Sequence, residues 1–144
     1  MTTSELVVAF FERSNALQNY WTLYVVVIGS LLAFASIRKQ PDLITTILVS
    51  VLYIFFAYKN LGAIEDVSIQ RIAILDAFKQ QAAPITDALS ATQVKALQLI
   101  QPTLITPDIH GIRHFHIVTD ALTIAALWAM EFRRRKAARA GHHA

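Results

Sequence analysis

The chain has no cysteine, and its 144 residues include only four glycines, four prolines and two methionines. Without cysteine there are no disulfides, thiolate metal sites or cysteine nucleophiles. Charge is scarce as well: Asp, Glu, Lys and Arg make up 16% of the residues, against roughly 25% in an ordinary soluble domain. No phosphate loop, G-x-S-x-G, H-x-E or dinucleotide fingerprint is present, which points away from enzymes of those classes. The start, Met1-Thr2-Thr3-Ser4-Glu5, lacks the basic n-region of a secretory signal. No A-x-A-like cleavage pattern follows the first apolar run, so that run reads as a retained anchor.

What fills the chain instead is apolar. Hydrophobic residues reach 55% and the mean hydropathy is +0.45. Two runs, Tyr20–Ile37 and Leu43–Tyr58, contain no Asp, Glu, Lys or Arg, and only Arg38-Lys39-Gln40-Pro41-Asp42 separates them. As helices they extend roughly 27 and 24 Å, close to one bilayer core. A third span is expected over 113–132, where Leu122 to Met130 is apolar on every face and Arg133-Arg134-Arg135-Lys136 follows. The fold class is therefore an all-α membrane protein with three transmembrane helices, 20–37, 43–58 and 113–132. A single integral membrane domain is expected, with outer helical stretches at 4–19 and 59–110 and a basic tail at 133–144.

The spacing of residues predicts helices longer than the apolar runs. Thr2 and Glu5 form a capping box, and no proline interrupts the chain before Ile37. Val7, Phe10, Ser14, Leu17, Trp21, Tyr24, Ile28 and Leu31 recur at spacings of three and four, while Glu12, Arg13, Asn15, Gln18 and Asn19 fall off that stripe. Pro41 and Asp42 suit the first turn of the second helix, whose periodicity runs on to a stop at Pro84. Ser90 and Gln93 form a second capping box and predict a short helix over 91–101, followed by a linker, 102–107. Thr106-Pro107-Asp108 has the form of a helix start, and that helix is expected to reach about Ala138.

Charge placement orients the spans. The net charge is +3, yet Arg133, Arg134, Arg135, Lys136 and Arg139 alone supply five positive charges, so the remainder is net negative. The positive-inside rule places Arg38/Lys39 and the tail on the cytoplasmic side and the N-terminus outside. Tyr20, Trp21, Tyr58 and Phe115 then mark the outer interface, Trp128 and Phe132 the inner one. The bacterial inner membrane is the default compartment for such a chain. The basic tail reads as a contact for lipid headgroups or an acidic partner through Arg133, Arg134, Arg135 and Lys136, and not for nucleic acid. Gly29/Ala33, Thr46/Ser50 and Ala121/Ala125/Ala129 have the small-x-x-x-small spacing that lets helices approach closely. Packing inside one bundle is the simplest use for these pairs.

One cluster carries possible chemistry: His110, Arg113, His114, His116 and Asp120. An Asp inside a membrane segment needs a partner, so Asp120 is expected to face the bundle interior with Arg113 or His116, in a membrane-embedded polar network. His116 with Asp120 has the composition of a proton-handling pair. His110 and His114, at i,i+4, are the residues a metal or haem would use, although no third ligand is apparent and no cofactor is identified. The function expected from the whole is non-enzymatic association, as an accessory or scaffold subunit of a membrane complex or as a homo-oligomer. The partners are then the bilayer and other membrane subunits or copies of itself. Alternatives are a metal- or haem-binding component built on these histidines, and a small pore-forming or effector protein.

Overall fold

The computed structural model describes residues 3–82 and 108–141. These form three helices: α1 is Thr3–Ile37, α2 Leu43–Ala82 and α3 Ile109–Gly141. No strand occurs among the described residues. With 35, 40 and 33 residues, each helix is about 50–60 Å long, well beyond a hydrocarbon core of about 30 Å. Each is long and apolar enough to cross a membrane. The predicted helix at 91–101, the linker at 102–107 and the Thr2 end of the first capping box lie outside the described residues.

The predicted stripe on α1 is the face it buries. Phe10 and Tyr24 are buried, the other six stripe residues are half-buried, and Glu12, Arg13, Asn15, Gln18 and Asn19 are all exposed. On α2 the inward residues are Thr46, Ser50, Tyr53, Ala57, Asn60, Ile64 and Val67, spaced alternately by four and three, the step that keeps one helix face against neighbours. Four of these seven have polar side chains, in a helix whose exposed positions include Ile44, Leu48, Leu52, Ile54 and Phe55. That inversion, with polar groups inside and apolar groups outside, is what a hydrocarbon solvent favours.

The chain divides into two compact units: residues 1–19 with 64–109, and residues 20–63 with 110–144. In the first, Leu6, Phe10, Val67, Ser68 and Leu75 are buried. The Arg71 guanidinium lies 4.8 Å from the centre of the Phe10 ring, a cation–π contact, and Arg13 Nη1 donates to Gln70 Oε1 at 3.3 Å.

The second unit is a three-helix bundle whose register follows from its cross-helix contacts. Tyr24 meets His116 and Asp120, while Ser36 meets Met130 and Ala35 meets Arg134, so α1 and α3 run parallel. Asn60 meets His116 and Tyr53 meets Asp120, so α2 runs antiparallel to both. Ser36, Ser50 and Thr123 each donate to the carbonyl four residues earlier at 2.7–2.8 Å, so these three hydroxyls are satisfied within their own helices.

Asp42 does not enter the first turn of α2 as the sequence suggests; it caps the helix from outside. Its Oδ1 accepts from Thr45 N at 3.1 Å, its Oδ2 accepts from the Thr45 hydroxyl, and its carbonyl accepts the Thr46 N–H. A carboxylate satisfies orphan N–H groups better one position before the helix than within it. These bonds, led by the Thr45 hydroxyl and helped by the Arg38 charge, hold the Asp42 carboxyl below the usual carboxylate range. Arg38 closes the link, donating to Asp42 O at 3.1 Å and to Thr46 Oγ1 at 3.3 Å.

The small-residue pairs divide differently from the simplest expectation. Thr46 and Ser50 are buried in the bundle, but Gly29, Ala33, Ala121, Ala125 and Ala129 are all exposed. A Cβ built on Gly29 meets no atom within 4 Å. The α1 and α3 seams therefore play no part in the packing of this bundle, because Tyr24, Tyr53 and His116 occupy its interior and need larger clearances than a small-residue seam provides.

Candidate functional site

Asp120 is the hub of the second unit. The side chains around it come from all three helices: Tyr24 from the α1 stripe, Tyr53 and Asn60 from the inward face of α2, and His116 one turn earlier on α3. Tyr24 and Tyr53 both donate their hydroxyls to Asp120 Oδ1, at 2.8 and 2.6 Å. His116 Nδ1 is 2.8 Å from Asp120 Oδ2, and His116 Nε2 is 3.4 Å from Asn60 Nδ2. Tyr24 also stacks on the imidazole, with ring centres 4.0 Å apart, and Trp21 packs against Tyr24, Phe115 and His116 at 5.8–5.9 Å. Tyr24, Tyr53, Asn60 and His116 are buried; the Asp120 side chain keeps 19% of its surface exposed.

The chemistry of this arrangement is that of a carboxylate with its acceptor capacity filled. Two hydroxyls and one imidazole satisfy both oxygens, which is the condition for keeping an ionisable group inside an apolar segment. Because the donors come from different helices, the same bonds tie α1 and α2 to α3.

Of the predicted residues, His116 and Asp120 come together as a pair. Arg113 is exposed, and the Asp120 partner of the two proposed is His116. His110 and His114 are also exposed, with His114 Nδ1 3.0 Å from the His110 carbonyl, which accepts its proton. No group of three His, Asp or Glu able to hold a metal occurs among the described residues.

Sequence reasoning missed Tyr53 and Asn60 as site residues, and placed Tyr24 only as a stripe position. The signal was present: Thr46, Ser50, Tyr53 and Asn60 are polar residues at helical spacing within or just beyond an uncharged run, hence on one face.

A second polar centre lies at the other end of the bundle. Glu131 is fully buried and accepts from Arg135 Nε at 2.9 Å and Arg134 Nη2 at 3.2 Å. Arg134 Nη1 also donates to the Ala35 carbonyl at 2.6 Å. That carbonyl is in the last turn of α1, where backbone acceptors lack helical partners and a cation is favoured. Of the four basic residues expected to meet headgroups, Arg134 and Arg135 are thus half-buried against Glu131, while Arg133 and Lys136 are exposed. The i,i+3 and i,i+4 spacing of Glu131 to these arginines was the available clue.

No family model, curated protein or solved structure matches the chain. Its site has to be read from its own geometry.

Proposed function

We propose that the protein is a small multi-pass membrane protein that acts by association, as an accessory or scaffold subunit of a membrane complex or as a homo-oligomer. The observation that carries this reading is apolar exposure among polar neighbours. Val8, Phe11 and Ile69 keep 57%, 50% and 53% of their surfaces exposed, in helix segments that also carry Glu5, Glu12, Arg13, Asp66 and Gln70. Segments so charged do not sit in hydrocarbon, and large exposed apolar side chains in water mark contact surfaces. Val8 and Phe11, at i,i+3, share one face of α1. The outward seams of α1 and α3 support the same reading, since small residues on a lipid-facing surface admit a close helix neighbour.

The orientation proposed is N-terminus outside and C-terminus cytoplasmic, with the first unit as an extracytoplasmic extension of the membrane helices. Its support is the basic bias of Arg38/Lys39 and of 133–139. The boundary between the units at Asn19/Tyr20 also coincides with the start of the uncharged run.

The test is native mass spectrometry of the full chain released from membranes in a mild detergent, with a reporter after Ala140 to locate the tail. A stoichiometric assembly is expected, lost or weakened in Val8→Ser/Phe11→Ser, with the reporter cytoplasmic. A lone monomer whose behaviour the double variant leaves unchanged would overturn the association reading, and an external reporter the orientation.

A further inference from the structure

The hydrogen-bond geometry around His116 fixes where its proton lies. Asn60 Nδ2 can only donate, so the His116 Nε2 it faces at 3.4 Å carries no proton. The ring proton is therefore on Nδ1, donated to Asp120 Oδ2 at 2.8 Å. Asp120 Oδ1 is already occupied by the two tyrosine hydroxyls. In this state the Asp120–His116 pair holds one proton, and Asn60 Oδ1 is buried with no hydrogen-bond partner. An unpartnered buried amide oxygen is costly and calls for an explanation.

A second proton has two places to go. It can bind Nε2, giving an imidazolium beside a carboxylate. Alternatively it binds Asp120 Oδ2, which then donates to Nδ1, and the ring's own proton moves to Nε2. Both outcomes put a hydrogen on Nε2, facing the hydrogens of Asn60 Nδ2. Donor then meets donor. Turning the Asn60 amide by half a rotation removes the conflict, because it brings the vacant Oδ1 onto Nε2–H. The orphan acceptor is thus in position for a proton that this state does not hold.

We propose that Asp120, His116 and Asn60 form a reversible site for one proton, in which the Asn60 amide turns over when the proton binds. Among the described residues, the other titratable groups around the imidazole and its carboxylate are Tyr24 from α1 and Tyr53 from α2, both donating to Asp120 Oδ1. Arg113, one turn back on α3, is exposed. Of the five side chains in the centre, that of Asp120 is the most exposed. Since Asn60 belongs to α2 and His116 to α3, each proton bound or released re-forms a hydrogen bond between two helices.

The experiment is nitrogen NMR of the full chain in lipid nanodiscs, labelled at His and Asn side chains and titrated from about pH 9 to about pH 5. At the upper end His116 should show a protonated Nδ1 and a bare Nε2. On acidification Nε2 should gain its hydrogen in a single step, and the Asn60 side-chain amide signals should shift with the same midpoint. Asn60→Asp, which offers only acceptors to Nε2, should retain the Nε2 hydrogen at the upper end. An Nε2 hydrogen already present in the unsubstituted chain at the upper end overturns the proposal. So does an Asn60 amide that stays fixed while His116 titrates, or a His116 that does not titrate at all. All three of these results come from the unsubstituted chain, so the proposal can fail even if Asn60→Asp does not fold.

Discussion

Removing the Tyr53 hydroxyl should change sign in its effect when Asp120 is also removed. In the intact protein, Tyr24→Phe or Tyr53→Phe deletes one O–H donor to Asp120 Oδ1 and leaves the ring in place. Interhelical hydrogen bonds within lipid average about 0.6 kcal/mol and reach about 1.7 kcal/mol. A charged acceptor roughly doubles such a bond, so each substitution should cost about 1–3 kcal/mol. Asp120→Leu is a different perturbation, because it strands the Tyr53 hydroxyl and the His116 Nδ1–H, while Tyr24 keeps the His116 carbonyl at 3.4 Å as an acceptor. At about 1–3 kcal/mol for each stranded donor, the loss is about 2–6 kcal/mol. On that background Tyr53→Phe removes a stranded group instead of a bond, and should recover about 1–3 kcal/mol, with Tyr24→Phe close to neutral. The assay is unfolding by SDS in bicelles, followed by the fluorescence of Trp21, which lies 5.8–5.9 Å from Tyr24 and His116, in a Trp128→Phe background. Equal costs for the tyrosine substitutions with and without Asp120 would refute the idea that the carboxylate is what the hydroxyls serve.

Two further outcomes are expected at the opposite end of the bundle. Glu131→Ala removes the acceptor shared by Arg134 and Arg135 and should cost about 1.5–3 kcal/mol, the value of hydrogen bonds to a charged group, in the same SDS titration. A cost near zero would mean that water and headgroups replace Glu131 there. For Asp42, a carboxyl held below its ordinary range by Thr45 and Arg38 contributes stability above its unfolded titration range and loses it as pH falls through the lower folded value. Exchange of the Thr45 amide, which donates to the carboxylate, should therefore stay protected through mild acid and accelerate only below the usual carboxylate range. In Asp42→Ala, which removes the side-chain acceptor of the Thr45 N–H but keeps the carbonyl that accepts from Thr46, exchange at Thr45 should be fast at all pH.

The amino-acid sequence determines the helices and makes each of the three long and apolar enough to cross a membrane. Charge-free runs ending at Arg38 and at Tyr58, with proline kept to the links, leave α-helix as the one way for 20–37 and 43–58 to satisfy their backbones in lipid. The buried face of α1 was legible in the same way, since a stripe at three-and-four spacing points one way whatever it packs against. The pairing of Asp120 with His116 was also legible, being an i,i+4 contact set by one helix.

Partners from other helices were not legible. That Tyr24, Tyr53 and Asn60 reach this pair depends on the relative register of three helices, and a single helix's periodicity carries no information about a neighbour's register. The same limit explains the seams. Gly29/Ala33 and Ala121/Ala125/Ala129 show where helices can approach closely, but only the packing decided that the large side chains turn inward and these seams outward. Tertiary structure also decided that Arg134 and Arg135 bend back onto Glu131 and α1. Sequence alone made them part of a basic tail, because it shows charge but not what stands one helix away to neutralise it.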